Sequence, residues 1–316
     1  MVCLMKRLCS VPTDTLFLHH FFFSFFFFFF FFGVRVSSQG FVSFSYPNDP
    51  TANFFLLGDA VESHGFIQLT SLNTNLDQTL GNAGISSAGR FLCRTPIRML
   101  EPETLRVSSF STSFTFKINT LNSSYQGGDG LAFVISPDNS TVGGQGEYLG
   151  AFLPGNVTSQ SHTFAVEFDT FQNDDVGDPN DNHVGIDLTN ITSLYYNNAS
   201  NVGIQLNDGS VITAWIRYDG VRNNLQVRIS TDSMEPEDPL IDANLSLSNT
   251  FNEFMYVGFS GSTGLSNELH TLMSWAFSSW GVQQEPTGEN APRAKHGSNA
   301  VIIPICLALL FLVIAF

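Results

Sequence analysis

From Phe41 to Trp280 the chain places an apolar side chain at almost every second position, and this alternation restricts the fold more than any other feature. Phe114, Phe116 and Ile118 form one such series, Phe164, Val166 and Phe168 a second, and Leu225, Val227 and Ile229 a third. Successive side chains of an extended chain point to opposite faces, so a period of two gives each segment one apolar face for a core. No stretch of this region repeats convincingly at the helical period. Turn-forming sequences separate the series: Asn207-Asp208-Gly209, and Asp219-Gly220 between Trp215-Ile216 and the run starting at Leu225, where a hairpin connection belongs. Internal repeats are not apparent. Roughly 240 residues of short strands and turns fit one all-β domain, a single large β-sandwich.

Composition narrows the partners. The chain has 13 Lys and Arg against 28 Asp and Glu, a formal net charge of −15. Such a surface repels phosphate backbones and anionic headgroups, which excludes nucleic acid as the main partner. Of the cysteines, Cys3, Cys9 and Cys306 belong to the terminal zones. Cys93 alone lies outside them, so a disulfide framework is excluded and Cys93 reads as a small buried thiol. Trp215, Trp275 and Trp280 each sit in an alternating apolar segment and read as core.

Both ends carry targeting patterns. Lys6 and Arg7 precede an apolar stretch that is nearly pure phenylalanine from Phe21 to Phe32, and Val36-Ser37-Ser38 supplies small residues at cleavage spacing. Residues 1–38 therefore read as a signal peptide, residues 39–280 as the folded domain, and 281–300 as a polar linker into the apolar segment 301–316. That last segment is either a transmembrane span or a GPI signal with an attachment site such as Gly288 or Asn290. At 1.5 Å per residue it reaches about 24 Å, short of a hydrocarbon core near 30 Å. Pro304 interrupts its first turns, and Arg293, Lys295 and His296 fall on the extracellular side, so a GPI anchor is favoured. Either reading places the domain in the secretory pathway, at the outer face of the plasma membrane or outside the cell. Asn122, Asn139, Asn156, Asn190, Asn198 and Asn244 each begin a glycosylation sequon, in keeping with that route.

The chemistry concentrates between Val166 and Asp187, which reads VEFDTFQNDDVGDPNDNHVGID. Hard cations take carboxylate, amide and carbonyl oxygens; a first-row transition ion takes carboxylates with an imidazole. The segment offers both sets. A solvated acidic loop beside a structural histidine has the same composition, but Glu167 and Asp169 start on a strand of buried pattern, where an unpaired charge is costly, and this favours metal.

Here the sequence resembles the legume-type (L-type) lectin family. The likeness spans nearly all of Phe41 to Trp280 and rests on GDGLAFVISP, GEYLGAF, VEFDTFQN, HVGID, AWIRYDG and YVGFSGSTG in that order. NDNHVGID and the opening FSY near residue 44 look more like the extracellular domains of plant lectin receptor kinases than like soluble seed lectins, although no kinase segment follows in this sequence. The resemblance implies a concanavalin-like jelly-roll β-sandwich with structural calcium and manganese. Glu167, Asp169, Asp178 and His183 resemble the manganese ligands, with Ser193 placed to hold a metal-bound water. Asp169, the carbonyl of Phe171, Asn173 and Asp178 resemble the calcium set.

On the same resemblance, Asp129 accepts hydrogen bonds from two sugar hydroxyls after a cis Gly128-Asp129 peptide, Asn173 donates one from its amide, and the Phe171 ring lies against the C–H face of the sugar. Backbone N–H groups near Glu147, Leu265 and Ser266 complete a shallow pocket. A plain Gly-Gly-Asp-Gly turn is the alternative reading of residues 127–130. Two departures stand out: seed lectins usually carry glycine where Glu147 stands, and the spacing from Asn173 to Asp178 is longer than in many soluble members. Glycans or glycoconjugates are the implied partners, with the membrane through the C-terminal segment and self-association into a homodimer as further expectations.

Two other classes compete. A kinase-less surface module could bind a protein or a small apolar ligand instead of sugar, but retention of Asp129 and Asn173 argues for sugar. The same sandwich carries β-glucan hydrolases with an E-x-D-x-x-E strand, and here Gln172 replaces the last glutamate. An amide cannot protonate a leaving oxygen, so an enzyme is not expected.

Overall fold

The structure, a computed structural model, describes residues 40–49, 52–71, 86–120, 127–155, 162–264, 266 and 268–282. The signal peptide, the linker beyond residue 282, the segment 301–316, Leu265, Asn122 and Asn156 lie outside these residues.

The first sheet has eight strands, running β16 (Ile241–Asn244), β15 (Asn224–Ser230), β14 (Asp208–Asp219), β9 (Ser109–Thr120), β18 (Glu268–Trp280), β4 (Phe66–Gln68) and β3 (Val61–Ser63), with β1 (Phe41–Tyr46) also paired to β18. The second also has eight, running β13 (Ser193–Asn198), β12 (His183–Leu188), β11 (Phe164–Asp169), β10 (Gly130–Ser136), β17 (Phe254–Thr263), β5 (Ser87–Cys93) and β2 (Phe54–Gly58), with β6 (Ile97–Arg98) on β17. A small ribbon joins β7 (Leu100–Glu101) to β8 (Arg106–Val107). The strand pairings are antiparallel. The described residues hold no α-helix, only 3-10 turns at Gly146–Tyr148 and Ala199–Val202.

The alternation does what its period requires. Phe114, Phe116, Ile118, Phe164, Val166, Phe168, Leu225, Val227 and Ile229 all lie in the main apolar cluster between the sheets. Aromatic rings fill much of it: Phe114 meets Phe259 edge-on at 4.7 Å between centroids, and Phe259 meets Trp275 at 5.0 Å. Such offset arrangements each add about 0.5–1.5 kcal/mol beyond the area they bury. The hairpin expected at Asp219-Gly220 joins β14 to β15, with Asp219 opposite Asn224. Cys93 is buried and unbridged, as expected.

Two of the three tryptophans depart from expectation. Trp275 is 1 % exposed between the sheets, but Trp280 is 37 % exposed and Trp215 is half-buried opposite Ser113 and Arg228. Alternation shows which residues share a face, not which face turns inward. Among the described sequons, Asn190 and Asn244 are exposed, Asn139 is half-buried, and half-buried Asn198 accepts the Ser200 N–H at 2.8 Å.

The second sheet is covered on its outer face as well. Leu92, Ala132, Val134, Leu149, Ala151, Phe152, Ala165 and Ile191 form a separate apolar cluster there. Every residue of β5, β10 and β11 is consequently buried, and polar residues on the outer face of these strands are taken out of water.

Candidate functional site

With Phe164, Val166 and Phe168 turned into the core, the pleat sends Glu167 and Asp169 to the covered outer face of β11. Asp169 pairs with His183 across the ladder and Glu167 with Gly185. The glycine is needed, since a Cβ at 185 would run into the Ser193 hydroxyl and the Glu167 carboxylate. Ligand atoms of Glu167, Asp169 and His183 all fall within 4.8 Å of one another. His183 Nδ1 lies 2.9 Å from the Asn180 carbonyl and so carries its proton toward it, which turns Nε2 to Glu167 Oε1 at 3.1 Å. This second-layer bond is the usual way a histidine is set to ligate through its other nitrogen.

The loop after β11 brings up the remaining oxygens. Asp169 Oδ1 accepts the Phe171 N–H at 2.8 Å, and Asp178 Oδ2 accepts the Asn173 N–H at 2.7 Å. The N–H groups of Val176, Gly177 and Asp178 close on the Asn173 carbonyl at 3.2–3.3 Å, folding the Asp- and Gly-rich segment back on itself. Burial, then the charge of Glu167, raises Asp169 well above the usual carboxylate range. Burial also pushes Asp178 up to about 6. Burial alone would lower His183, but its bond to Glu167 and the charges of Glu167 and Asp178 outweigh that and raise it.

Crowded carboxylates with raised proton affinity are what a cation site looks like when protons must do the work of the cation. Asn173 Oδ1 and Asp129 Oδ2 are both buried and make no hydrogen bond among the described residues. Glu167, Asp169 and His183, the three whose ligand atoms come together, are carboxylates with an imidazole and suit a transition ion. Asp178 reaches this group through its charge, and Asn173 and Phe171 lie on the same loop as oxygen donors of the kind a hard ion takes.

A further acid joins this group. Asp187, at the end of HVGID, is fully buried, and its Oδ1 lies 2.8 Å from Ser193 Oγ, which is itself 2.6 Å from Glu167 Oε1. Burial and the neighbouring Glu167 push Asp187 far above its ordinary value. Its place in the β12 alternation, two residues beyond Gly185, was the available signal.

On the other side of the loop stands Asp129. The Gly128-Asp129 peptide is cis, as the resemblance implied, rather than part of a plain turn. The Asp129 N–H donates to the Ser262 carbonyl at 3.1 Å, and its own carbonyl accepts the Thr170 N–H at 2.9 Å. The side chain is 4 % exposed and takes a bond from the Gly264 N–H. Glycine again makes the room: a Cβ on Gly264 would stand 2.9 Å from Asp129 Oδ2, and one on Gly128 would stand 2.8 Å from Ser266 Cβ. Burial pushes Asp129 up to about 7, against the Gly264 bond and with the charges of Glu147, Glu268 and Asp178.

Glu147 lies half-buried in the turn Gly146–Tyr148, close enough for its charge to act on Asp129, and the Ser262 hydroxyl holds the Gly146 carbonyl at 2.7 Å. Gly146 and Leu149 adopt φ of 64° and 51°, which bends the backbone of this loop sharply. Arg90, which sequence reasoning did not single out, anchors the same loop from β5, donating to the Gly150 carbonyl at 2.7 Å and the Ala151 carbonyl at 2.5 Å. Burial lowers its guanidinium to about 10. Phe171 and Ser266 are half-buried. Gln172 is exposed and donates its amide to Asp174 at 3.2 Å, a role that has nothing to do with protonating a leaving group.

A family model described as the legume lectin domain matches residues 38–293. The chain is 40% identical over 249 residues to the L-type lectin-domain containing receptor kinase VIII.1 of Arabidopsis thaliana, covering 79% of this chain and 33% of that protein. It thus spans about a third of the length of the curated receptor kinases it matches. Agglutinin-2 of Cladrastis kentukea is 36% identical over 254 residues, 78% of this chain and 83% of that protein. Among solved structures, the winged bean acidic lectin complexed with methyl-α-D-galactose is similar at a TM-score of 0.63 and 31% identity, covering 76% of this chain and 98% of that one. The metal-free form of lectin I-B4 from Griffonia simplicifolia also has a TM-score of 0.63, at 32% identity over 75% of this chain and 99% of its own. The chain belongs to the legume lectin family, whose lectin domain binds carbohydrate and is not itself catalytic.

Proposed function

We infer that this chain is a lectin displayed at the cell surface, which recognises glycans through a shallow pocket ordered by calcium and manganese and serves recognition or defence signalling. The observation that carries the reading is Asp129: a buried carboxylate with one oxygen free of hydrogen bonds among the described residues, held in a cradle of glycines between the 146–149 and 264–266 segments. A buried acceptor of this kind is costly unless a ligand completes it, and a sugar supplies hydroxyl donors at fixed angles. An apolar ligand would leave it uncompleted, which disfavours that alternative. The bound ions would neutralise the carboxylates gathered around Glu167 and Asp169. The chain itself does the recognising. Asp129 accepts two hydroxyls, Asn173 donates its amide to a third, the backbone N–H groups near Glu147 and Ser266 close the pocket, and Phe171 covers the apolar face of the sugar ring. Glu147 contributes its backbone while its carboxylate adds to the negative potential there. Signal peptide and C-terminal apolar segment, both outside the described residues, supply the route to the surface.

A glycan array probed with the protein before and after exhaustive chelation tests this. Saccharide binding that disappears with EDTA and returns with calcium and manganese is the expected result. Binding of the same glycans at equal strength without the ions overturns the metal-ordered pocket, and binding of no glycan overturns the lectin reading.

A further inference from the structure

Beneath the loops of the pocket lies a buried polar layer that neither sugar nor ion recognition uses. Its centre is Glu268, the first residue of β18, which is 0 % exposed. Oε2 accepts the Thr170 hydroxyl at 2.7 Å. Oε1 accepts the Thr120 hydroxyl at 2.8 Å and the Asn207 amide at 3.1 Å. His270 Nε2 stands 3.4 Å from Oε2, and the Thr70 hydroxyl donates to the Glu268 carbonyl at 2.9 Å. Burial pushes the Glu268 carboxyl up, and the bonds and charge supplied by His270, Thr170 and Thr120 overcome this and bring it below its ordinary value. Three other segments of the chain, carrying Thr120, Thr170 and Asn207, meet β18 on one side chain. The fit is tight enough to dictate residue 127, where a Cβ would fall 2.5 Å from Glu268 Oε1 and 2.6 Å from the Thr170 carbonyl.

Thr170 carries the consequence. It sits between Asp169, in the cation cluster, and Phe171, while its N–H holds the Asp129 carbonyl at 2.9 Å. Its hydroxyl is the handle by which Glu268 fixes it. A buried carboxylate is expensive to keep without full hydrogen bonding, and removing any one donor leaves the others aimed at a less well-satisfied charge. We propose that Glu268 is a positioning residue of this lectin: by fixing Thr170 it sets Asp129 against the cation ligand Asp169, and so couples ion binding to the aspartate that receives the sugar. The coupling to sugar rests on the function inferred above; the positioning itself does not.

The test uses calcium alone as the probe and hydrogen exchange as a second readout. Glu268→Gln keeps the shape but turns an N–H toward groups that are already donors, and Thr170→Val removes the hydroxyl with nearly the same volume. In chelator-stripped protein each should speed exchange of the Thr170 and Asp129 amides by about tenfold or more while the β14–β15 hairpin exchanges as in the parent. Each should weaken calcium binding, measured by calorimetry, by about tenfold, and the double variant should be no worse than either single one. Thr170→Ser, which retains the hydroxyl, should return both readouts toward the parent. A Glu268→Gln protein with a lowered melting temperature but parental calcium affinity and parental exchange at those two amides overturns the proposal, as does simple additivity in the double variant. If Glu268→Gln fails to fold, Thr170→Val gives the same two readouts. If the parent binds no calcium, it is the metal-ordered pocket that fails, and the exchange measurement still decides the positioning role.

Discussion

Replacing Gly264 by alanine should abolish recognition without disturbing the fold. The new Cβ would stand 2.9 Å from Asp129 Oδ2 and 3.3 Å from Gly146 Cα. A carbon and a carboxylate oxygen are comfortable at about 3.4 Å or more, so roughly half an ångström must be recovered. Asp129 is 4 % exposed and its backbone is fixed by Ser262 and Thr170, so the carboxylate has little freedom to retreat. The 264 backbone must lift instead, and the Gly264 N–H bond to Asp129 breaks. A hydrogen bond to a charged group contributes about 1.5–3 kcal/mol, which corresponds to a loss of affinity of about ten- to a hundredfold. The methyl also enters the space in front of the carboxylate, so the upper end is expected. The fold should tolerate it, because the φ of Gly264 lies outside the left-handed region and the residue is only half-buried. Calorimetry with the strongest array glycan of the parent, beside a thermal melt and a calcium titration, measures all three. Unchanged glycan affinity would refute the reasoning, and weakened calcium binding would show that the damage is not confined to the sugar side.

Other expectations follow from the same geometry. Asp129→Asn and Asn173→Ala should lose glycan binding and stay folded, whereas Asp169→Ala, which removes an oxygen shared by the two proposed ion sites, should also lower the melting temperature in calcium and manganese; a parental melting temperature and affinity in Asp169→Ala would exclude a shared site. In metal-free protein, Asp129 near 7 and Asp178 near 6 bind protons in the folded state that the unfolded chain has released, so stability should fall as pH rises from about 4 to 7. The ion-loaded protein should show the reverse trend, because protons compete for its ligands; denaturant midpoints at pH 5 and 7.5 with the same slope in both preparations would remove these carboxyls from the ion site. Treatment of expressing cells with phosphatidylinositol-specific phospholipase should release the protein. Retention on the membrane, with the Cys306 segment found by mass spectrometry, would mean a spanning form.

What sequence made legible depended on how each residue announces itself. Phe114, Phe116 and Ile118 declare a strand by their period, and Glu167, Asp169 and His183 declare a cation cluster by being the wrong residues for a buried pattern. The structure brings both groups where they were expected. Strands β5 and β10 were harder, because burial on both faces erases alternation: the outer cluster under Leu149 and Phe152 depends on a loop that folds back from elsewhere. Arg90 and Glu268 carry no local signal of their role. Their partners lie 60 and 98 residues away and meet them only through the topology. Trp280 failed for the opposite reason, since a large apolar side chain fits the pattern wherever it points.

The segment between Gly264 and Glu268 has a fixed post at each end: one pressed against Asp129, the other sunk into the polar layer under the pocket. Only three residues separate the posts in this chain. The entropy of closing a loop grows slowly with its length, by about 0.6 kcal/mol for each doubling. Extra residues inserted here would therefore cost the domain little. The two posts make this stretch an exchangeable cassette, whose length and side chains can change next to Asp129 while the Glu167, Asp169 and His183 cluster and the main core are left untouched.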